Sequence, residues 1–573
     1  MVILMTGSTT ALAQSNKVTF NGAGRMIVDN AKLGGTLLDT DTTSQRREMN
    51  GAALFDFGID IRPNENTQIH SVMRVQNEID GFWGAGIIFQ LRELYAQGVI
   101  ADALKYRVGD IDAALTPYTL WNSNSEFRFG EAAAFDVFRD IIDYENFYAD
   151  STWRQQGVEA EWGLDFSDGF IDRMTFRGLI SKNRQTDFFT LPDRLFGLAR
   201  VGIESHPTED NPGYWALHGN FVNLFEVAEA AQFNTAERQQ RSFSGDLRYR
   251  RPMGENIFGL DAEAGGSSVV FTDLNDAPDE NLEDFFVDVA LSLTLPESNL
   301  QFRLGISDVG ADYRAPGAQS RRLAPNDQAQ SFTYYTNRET LRPLNVADLI
   351  RDPSVYNRTV DDRLGAYSPV WDNVRPYGQA TPNRRGVDLD VMYTGDSLGR
   401  FDATFSAAYL SEIVGEGTAN LRSFLDLHIG GNVHLAPVIS WERVLDLYAG
   451  IRYQSTSRDG TEGVDLIDLT SLQLEAGLNW EVYDNLDVLA GVIMLSASGN
   501  EFVADRDPFT VVDFYEKYEA EVSELFFTGG LRYRFSETIS LSAQFQSVNS
   551  KNALIPENDY TTRHALLLYN MFF

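Results

Sequence analysis

Apolar and polar residues alternate at every second position along most of the chain. In segment 285–295 the odd-numbered positions are all apolar, and the even-numbered positions from 288 onward are Asp, Ala, Ser and Thr. Successive side chains of a β-strand point to opposite faces, so this pattern predicts a strand with one apolar and one polar face. The same period recurs in segments 53–62, 445–453, 472–480 and 525–535.

The alternation predicts an all-β chain of about 22 strands, with a range of 18–22. The predicted strands are 17–28, 49–62, 66–78, 86–97, 103–113, 155–166, 170–182, 194–205, 212–225, 240–251, 256–270, 283–296, 299–312, 384–395, 400–413, 420–435, 440–456, 467–482, 485–499, 521–535, 538–549 and 560–572. Some strands are joined by short polar turns, as at 482–485 and 535–538, whereas the opposite connections are longer. Short turns on one side and long loops on the other are typical of a transmembrane barrel.

The chemistry of the two faces separates a membrane barrel from a soluble β-sandwich, which also alternates. The polar faces carry full charges and glycine, and the apolar faces carry Leu, Phe, Val and Tyr with aromatic residues near strand ends. A lipid-facing exterior and a wet lumen require this division. We therefore expect a single large transmembrane antiparallel β-barrel over residues 17–573.

Composition narrows the function further. The chain has 573 residues, no cysteine, and 82 acidic against 47 basic residues, for a net charge of −35. This charge repels nucleic acid backbones, and the lack of cysteine excludes disulfides and thiolate chemistry. No run of about 18 apolar residues is present, so a membrane role would have to be that of a β-barrel.

Each end of the sequence resembles a known signal, for export at the first residues and for barrel assembly at the last. Segment 1–13, with apolar residues at 1–5 and Ala-Leu-Ala at 11–13, resembles the end of a secretory signal peptide. The last strand has apolar residues at alternate positions and ends on an aromatic residue, which resembles the outer-membrane assembly signal. Its candidate residues are Leu567, Tyr569, Met571 and Phe573. We expect a bacterial outer-membrane location, with lipid, lipopolysaccharide and the barrel-assembly machinery as partners.

The longest stretch without alternation is 313–383. Eleven arginines, no lysine and seven acidic residues lie between 313 and 385, in contrast to the acidic chain as a whole. Arginine suits bidentate pairing with carboxylate or phosphate. The candidate ligand or plug residues are Arg314, Arg321, Arg322, Arg375 and Tyr377.

Three interpretations of segment 313–383 stay open. The segment would fold into the lumen and pair with wall carboxylates, would form an ordered extracellular cap that binds a partner protein, or would build an anionic-ligand site from its arginines. The wall carboxylates considered are Asp56, Asp60, Asp288, Asp446 and Glu475.

A second long connection, 114–152, is acidic and aromatic. Its apolar residues Phe135, Phe138, Ile141 and Ile142 are spaced three or four apart, which predicts a short helix in a lid or lumen insert. The nearby acidic residues match no calcium-loop spacing, and no metal site is predicted. These acidic residues are Asp136, Asp140, Asp143 and Glu145.

Catalytic patterns are poor. The six histidines are scattered, and even His428 and His434, on one strand face, lie roughly 20 Å apart at the usual rise per residue. No nucleophile elbow, HExxH helix or phosphate-binding glycine loop is present. We expect neither enzymatic activity nor a cofactor.

The whole chain resembles large outer-membrane β-barrels of the porin type. The loop pieces YRAPGAQSRRL, DPSVYNR and PYGQATPNRRG are similar to loops of uncharacterised barrels from Bacteroidota-type bacteria. The porin resemblance implies a channel for small polar solutes, here narrowed or gated by long loops. The alternative is a non-conducting structural subunit of a larger envelope complex for secretion, uptake or assembly.

An acidic lumen wall would favour cations. The candidate channel-lining residues are Asp56, Asp60, Asp288, Asp446, Glu475, Arg532 and Arg534.

Overall fold

The computed structural model describes most of the chain. The described residues are 17–38, 47–78, 87–123, 131–146, 151–166, 170–205, 207, 213–227, 231–232, 236–273, 280–320, 329–330, 341–361, 363–365, 367–395, 401–506 and 512–573. The predicted signal segment 1–13 lies outside this part of the chain.

Twenty-two strands form one continuous antiparallel sheet. They are β1 (Val18–Gly34), β2 (Arg47–Asn64), β3 (Thr67–Glu78), β4 (Ile88–Ile100), β5 (Leu104–Ala113), β6 (Trp153–Asp165), β7 (Arg173–Arg184), β8 (Asp193–Ser205), β9 (Tyr214–Val227), β10 (Ala236–Met253), β11 (Asn256–Asp273), β12 (Glu280–Leu295), β13 (Leu300–Val309), β14 (Arg384–Tyr393), β15 (Phe401–Ser411), β16 (Ser423–His434), β17 (Leu445–Arg458), β18 (Ile467–Tyr483), β19 (Leu486–Arg506), β20 (Val512–Ser536), β21 (Ile539–Asn552) and β22 (Tyr560–Phe572).

The sheet closes on itself as a barrel. Each strand pairs with the next along the chain, and β1 pairs with both β2 and β22. The closing register runs from Ala23 opposite Phe572 to Gly34 opposite Thr561. Closure leaves no strand edge unpaired, which is the condition for a sheet in lipid. The expected all-β, 22-stranded barrel is therefore confirmed.

The two ends of the barrel differ in their connections. Connections that follow even-numbered strands are mostly short, and four of them are two-residue turns, at 65–66, 254–255, 484–485 and 537–538. We call this side the short-turn end; the opposite side, the long-loop end, includes the connections 114–152 and 310–383. Asn485 has a φ of 66°, a conformation that asparagine tolerates better than most residues.

Each predicted strand overlaps one observed strand, but β19 and β20 are longer than predicted. They contain 21 and 25 residues and extend towards the long-loop end. Their extension includes the pairing of Asn500 with Glu519 and of Glu501 with Tyr518. Backbone pairing thus continues where apolar alternation has stopped, so hydropathy alone underestimates these strands.

The outer face of the barrel is apolar. On β12 the outward residues Phe285, Val287 and Leu291 are 60%, 41% and 44% exposed, whereas Phe286 between them is fully buried. Aromatic pairs gather towards the short-turn end: Trp162 with Phe176, Phe170 with Trp215, Tyr393 with Phe401, and Tyr533 with Phe535. An apolar belt flanked by aromatic residues is typical of a lipid-facing barrel surface.

The helices are short and lie mainly in the two long connections. They are α1 (Ala133–Asn146), α2 (Pro316–Gln319), α3 (Asp348–Arg351) and α4 (Ala436–Ile439), with 3-10 turns at Thr36–Leu38, Pro296–Ser298, Pro353–Val355, Gly378–Ala380 and Pro556–Asn558. A two-residue ladder pairs Ala329–Gln330 with Leu341–Arg342. In the described part of the chain, no helix is long and apolar enough to cross a membrane.

Candidate functional site

The connection 114–152 is called the short insert, and its described part lies inside the barrel. The apolar face of α1 is buried, and the Phe135 ring centroid lies 5.3 Å from that of Phe526, an inward residue of β20. Gln544 of β21 donates a hydrogen bond to the Ala134 carbonyl (3.3 Å), and the Ala132 amide donates to Glu475 of β18 (2.8 Å). The predicted helix thus packs against the inner wall.

The other end of α1 is held by a cluster of charges, the Glu145 cluster. Glu145 lies 2.7 Å from guanidinium nitrogens of both Arg25 and Arg74 and 3.5 Å from one of Arg92. Asp56 accepts two hydrogen bonds of 2.7 Å from Arg74 and lies 2.5 Å from Arg92. Three guanidiniums and two carboxylates from β1, β2, β3, β4 and α1 therefore form one buried ionic cluster.

The electrostatics of the Glu145 cluster favour ionised Glu145. Burial opposes the charge, but the hydrogen bond from Arg74 and the charges of Arg92, Arg74 and Arg25 outweigh it and lower the pKa of Glu145. The Tyr144 hydroxyl donates to Asp56 (2.6 Å), and burial together with Asp56 raises the Tyr144 pKa above its usual range. Tyr144 therefore stays a neutral donor, and α1 is fixed to the wall by ionic contacts.

The connection 310–383 is called the long insert, and its described part also lies against the inner wall. Tyr313 is fully buried; its ring packs edge-on against Phe286, and its hydroxyl donates to the Tyr118 carbonyl at 2.6 Å. Further along, the Val346 amide donates to Glu524 (2.8 Å), an inward residue of β20. Arg351 donates to Gln546 (3.1 Å) on β21. The described part of this insert therefore contacts strands far apart around the barrel.

The last part of the long insert is held by polar side chains of the wall. Asn373 donates to Thr456 (2.8 Å) and to Glu501 (2.6 Å), while Ser471 donates to the Val370 carbonyl (2.7 Å). These wall residues belong to β17, β19 and β18. Together the two inserts occupy the lumen towards the long-loop end.

Three of the five arginine and tyrosine candidates of the long insert lie in the described residues, and all three make contacts within the protein. Arg314 is buried and donates to the carbonyls of Ala311 (3.1 Å) and Tyr313 (2.9 Å). Arg375 pairs with Asp388 at 3.0 Å, a partner outside the five wall carboxylates considered from the sequence. The Tyr377 hydroxyl donates to the Gly365 carbonyl. Arg321 and Arg322 lie outside the described residues.

The seven candidate channel-lining residues all face inward but differ in access to the lumen. Asp56 is fully buried in the Glu145 cluster, and Glu475 is 5% exposed beneath the short insert, so neither faces open space. Asp60 accepts a hydrogen bond from Gln68 (2.6 Å) and lies 2.9 Å from the His70 ring. The more open residues are Asp288, Asp446, Arg532 and Arg534.

The four residues of the candidate assembly signal occupy the end of β22. Leu567 is 45% exposed on the outer face, and the Tyr569 hydroxyl lies 3.8 Å from the Met571 sulfur. The Phe573 ring stacks on Phe55 with centroids 5.6 Å apart. The C-terminal residues therefore contribute to barrel closure.

A residual cavity of about 330 Å³ remains beneath the inserts, beside β10–β13. Its roof includes Thr116 and Tyr118 of the short insert and Gln379 of the long insert. Its wall carries carboxylates and guanidiniums in nearly equal number: Asp246, Asp261, Glu263, Asp288, Arg248, Arg250 and Arg303. A second cavity of about 490 Å³ lies near the short-turn end, beside residues 62–68 and 97–107.

Sequence reasoning missed Arg25, Arg74 and Arg92, and it missed Tyr118. The three arginines occupy positions on β1, β3 and β4 that carry no local mark beyond the polar face. Their convergence on Glu145 follows from barrel closure, which brings β1 beside β2 and β22. Tyr118 lies in a short TPYT sequence whose only signal was its position in a long connection.

Comparisons with known proteins give remote likenesses. No protein-family model matches the chain, and no curated protein matches it. The chain is similar to a BenF-like porin from Pseudomonas fluorescens Pf-5, at 10% identity over 97% of this chain and 99% of that one, with a TM-score of 0.34. It is also similar to the copper transporter OprC (11% identity, 96% and 80% coverage, TM-score 0.46). A third likeness is to the unliganded ferric citrate transporter FecA (10%, 96% and 78%, TM-score 0.49).

Proposed function

We propose that the chain is an outer-membrane barrel that forms a restricted passage for small polar solutes, with the two inserts setting its width. The observation that carries this proposal is the contrast between an apolar outer face and a charged inner wall against which both inserts pack. A 22-stranded barrel has a wide lumen, and the segments folded into that lumen determine which solutes can pass through it. We further propose that Leu567, Tyr569, Met571 and Phe573 direct insertion by the barrel-assembly machinery.

Selectivity in such a passage depends on charge and width rather than on a reaction. The accessible wall combines both signs: Arg248 is 52% exposed, Asp390 is 49% exposed and Arg303 is 34% exposed. Rings of charged side chains select ions by sign, and closely placed opposite charges create a transverse field. The excess of acidic residues over the whole chain favours cations.

A second candidate function is a non-conducting structural barrel in an envelope complex. The buried ion pairs that fix the inserts favour it, because they resist rearrangement. Besides the Glu145 cluster, Arg375 of the long insert pairs with Asp388 of β14 at 3.0 Å, and both side chains are buried. Removal of one partner of such a pair is costly, so the inserts are firmly held.

Single-channel conductance in a planar bilayer separates the two candidates. Purified, refolded protein is added to one side, and the reversal potential is measured in a tenfold KCl gradient. The proposal predicts steady, small, cation-selective conductance steps. A correctly folded barrel that inserts but gives no steps would contradict the passage and favour the structural role. Proteins that co-purify with wild-type protein but not with an insert deletion would also favour that role.

A further inference from the structure

Three carboxylates form a row across the inner wall. In the strand registers Asp246 of β10 lies directly opposite Glu263 of β11, and Glu263 lies directly opposite Asp288 of β12. Like charges at directly opposed positions of an antiparallel pair destabilise a sheet. The row therefore opposes folding unless something compensates for its charge.

The compensation within the protein is uneven along this row. Asp246 lies 2.9 Å from the His218 ring and accepts a hydrogen bond of 2.8 Å from Asn220. Glu263 accepts hydrogen bonds from neutral hydroxyls, including that of Thr116 at 2.7 Å. No guanidinium or ammonium of the described residues lies within ion-pair distance of Glu263 or Asp288. The nearby Arg303 instead pairs with Asp388.

Tyr118 adds a buried hydroxyl beside Asp288. The residue is 2% exposed, its ring stacks on Phe286 with centroids 4.3 Å apart, and its carbonyl is held by Tyr313. Its buried hydroxyl is directed at Asp288, and its oxygen accepts no hydrogen bond from the described residues. Burial, and then the charge of Asp288, raise the pKa of Tyr118 well above its usual range, so the hydroxyl keeps its proton. A rigid, neutral oxygen therefore lies in the same cavity as the two carboxylates that have no ion-pair partner within the described residues.

The same residues line the 330 Å³ cavity beneath the inserts, which we call the carboxylate cavity. This size lies at the lower end of the range of about 300–1,000 Å³ found for small-molecule sites. Exposure increases along the wall towards the short-turn end, from 8% for Glu263 to 52% for the Arg248 side chain. The cavity is therefore closed above by the inserts and accessible from the short-turn side.

We infer that the carboxylate cavity is a binding subsite for a small organic cation with a primary ammonium group, held between Glu263, Asp288 and the Tyr118 hydroxyl. A primary ammonium has three donors, and these three residues offer three oxygen acceptors. A bare metal ion fits less well, because no group of three or more acidic or histidine side chains among the described residues has metal-binding geometry. This inference rests on the proposed passage in that it names a class of solute for the lumen.

The test measures binding of butylammonium to the purified full-length barrel in detergent by ligand-observed saturation-transfer NMR. Butanol and butyrate are the matched neutral and anionic probes. We expect saturable binding of butylammonium only, weakened at least fivefold in the Glu263→Gln/Asp288→Asn double variant and less in Tyr118→Phe. The control is Asp165→Asn, which changes an 81% exposed carboxylate at the end of β6 and should leave binding unchanged.

Thermal unfolding of the same variants excludes a structural explanation. Relief of the opposed charges should leave the melting temperature of the double variant unchanged or raise it. The inference would be overturned if butylammonium showed no saturable binding, or if all three probes bound equally. It would also be overturned if the double variant bound butylammonium as the wild-type protein does, or if its melting temperature were markedly lower. Bilayer conductance reports separately on the passage, because an open channel without ammonium binding would refute only the subsite.

Discussion

At the scale of single residues, the contact most important for the lumen is that of Glu145 with three arginines. We predict that Glu145→Gln weakens docking of the short insert by about 3–5 kcal/mol, because it leaves buried guanidinium charge without its partner. Faster hydrogen exchange in residues 133–146 would report this change. The matched control is Glu161→Gln, whose 3.3 Å pair with the 61% exposed Lys105 contributes less than about 1 kcal/mol. Equal exchange in the two variants would contradict the importance of the cluster.

At the scale of elements, α1 is held by groups with opposite pH responses. The Asp136 carboxylate faces the lumen, but the protein around it replaces part of its bulk water. This desolvation, together with the charge of Asp140, raises the pKa of Asp136 to about 6. Its ionisation therefore opposes docking above pH 6, and this cost is relieved between pH 6 and about 4, the ordinary aspartate value. Glu145, with its lowered pKa, stabilises docking above about pH 4.3 and loses this effect as pH falls further.

Protection of the α1 amides should therefore pass through a maximum between about pH 4 and 6. The measurement is hydrogen exchange of residues 133–146 from pH 7.5 to 3.5, expressed as protection factors to remove the intrinsic pH dependence. Asp136→Asn should abolish the rise in protection between pH 6 and about 4 while keeping the loss below about pH 4. A monotonic profile in the wild-type protein would show that one of the two groups does not control docking.

The same elements show what local sequence can predict. The spacing of Phe135, Phe138, Ile141 and Ile142 was sufficient to predict α1, since a helix period is a local property. The wall residues that contact α1 were not predictable from local sequence. Glu475 is 343 positions along the chain from Ala132, and Gln544 is 410 positions from Ala134. Those contacts depend on barrel closure and on which long connection enters the lumen.

Strand prediction succeeded for a related reason. Lipid and water impose a two-residue period on each strand, so every strand of the belt can be recognised by itself. Where β19 and β20 extend beyond the lipid-facing belt, the apolar alternation stops. There the strands can be recognised only from their backbone pairing with each other. The row formed by Asp246, Glu263 and Asp288 likewise required the registers of three strands. Alternation predicts whether a side chain points to the lumen or to lipid. It does not predict which residues of neighbouring strands lie opposite one another.

At the scale of the whole molecule, the long insert is an addition to a barrel that is complete without it. The β13–β14 ladder continues to Val309 opposite Arg384, and the Asn383 amide donates to the Gly310 carbonyl at 3.1 Å. The two ends of the insert are thus adjacent, and a short linker can join them. Removing residues 311–382 should therefore leave the closed sheet in place.

The most direct test of the account compares the single-channel conductance of the wild-type protein with that of a variant in which a four-residue Gly-Ser linker replaces 311–382. The matched control replaces 460–464, an exposed connection at the same end of the barrel. We predict a several-fold larger conductance for the insert deletion and an unchanged conductance for the control. Equal conductance of all three folded proteins would contradict the claim that the insert limits the passage.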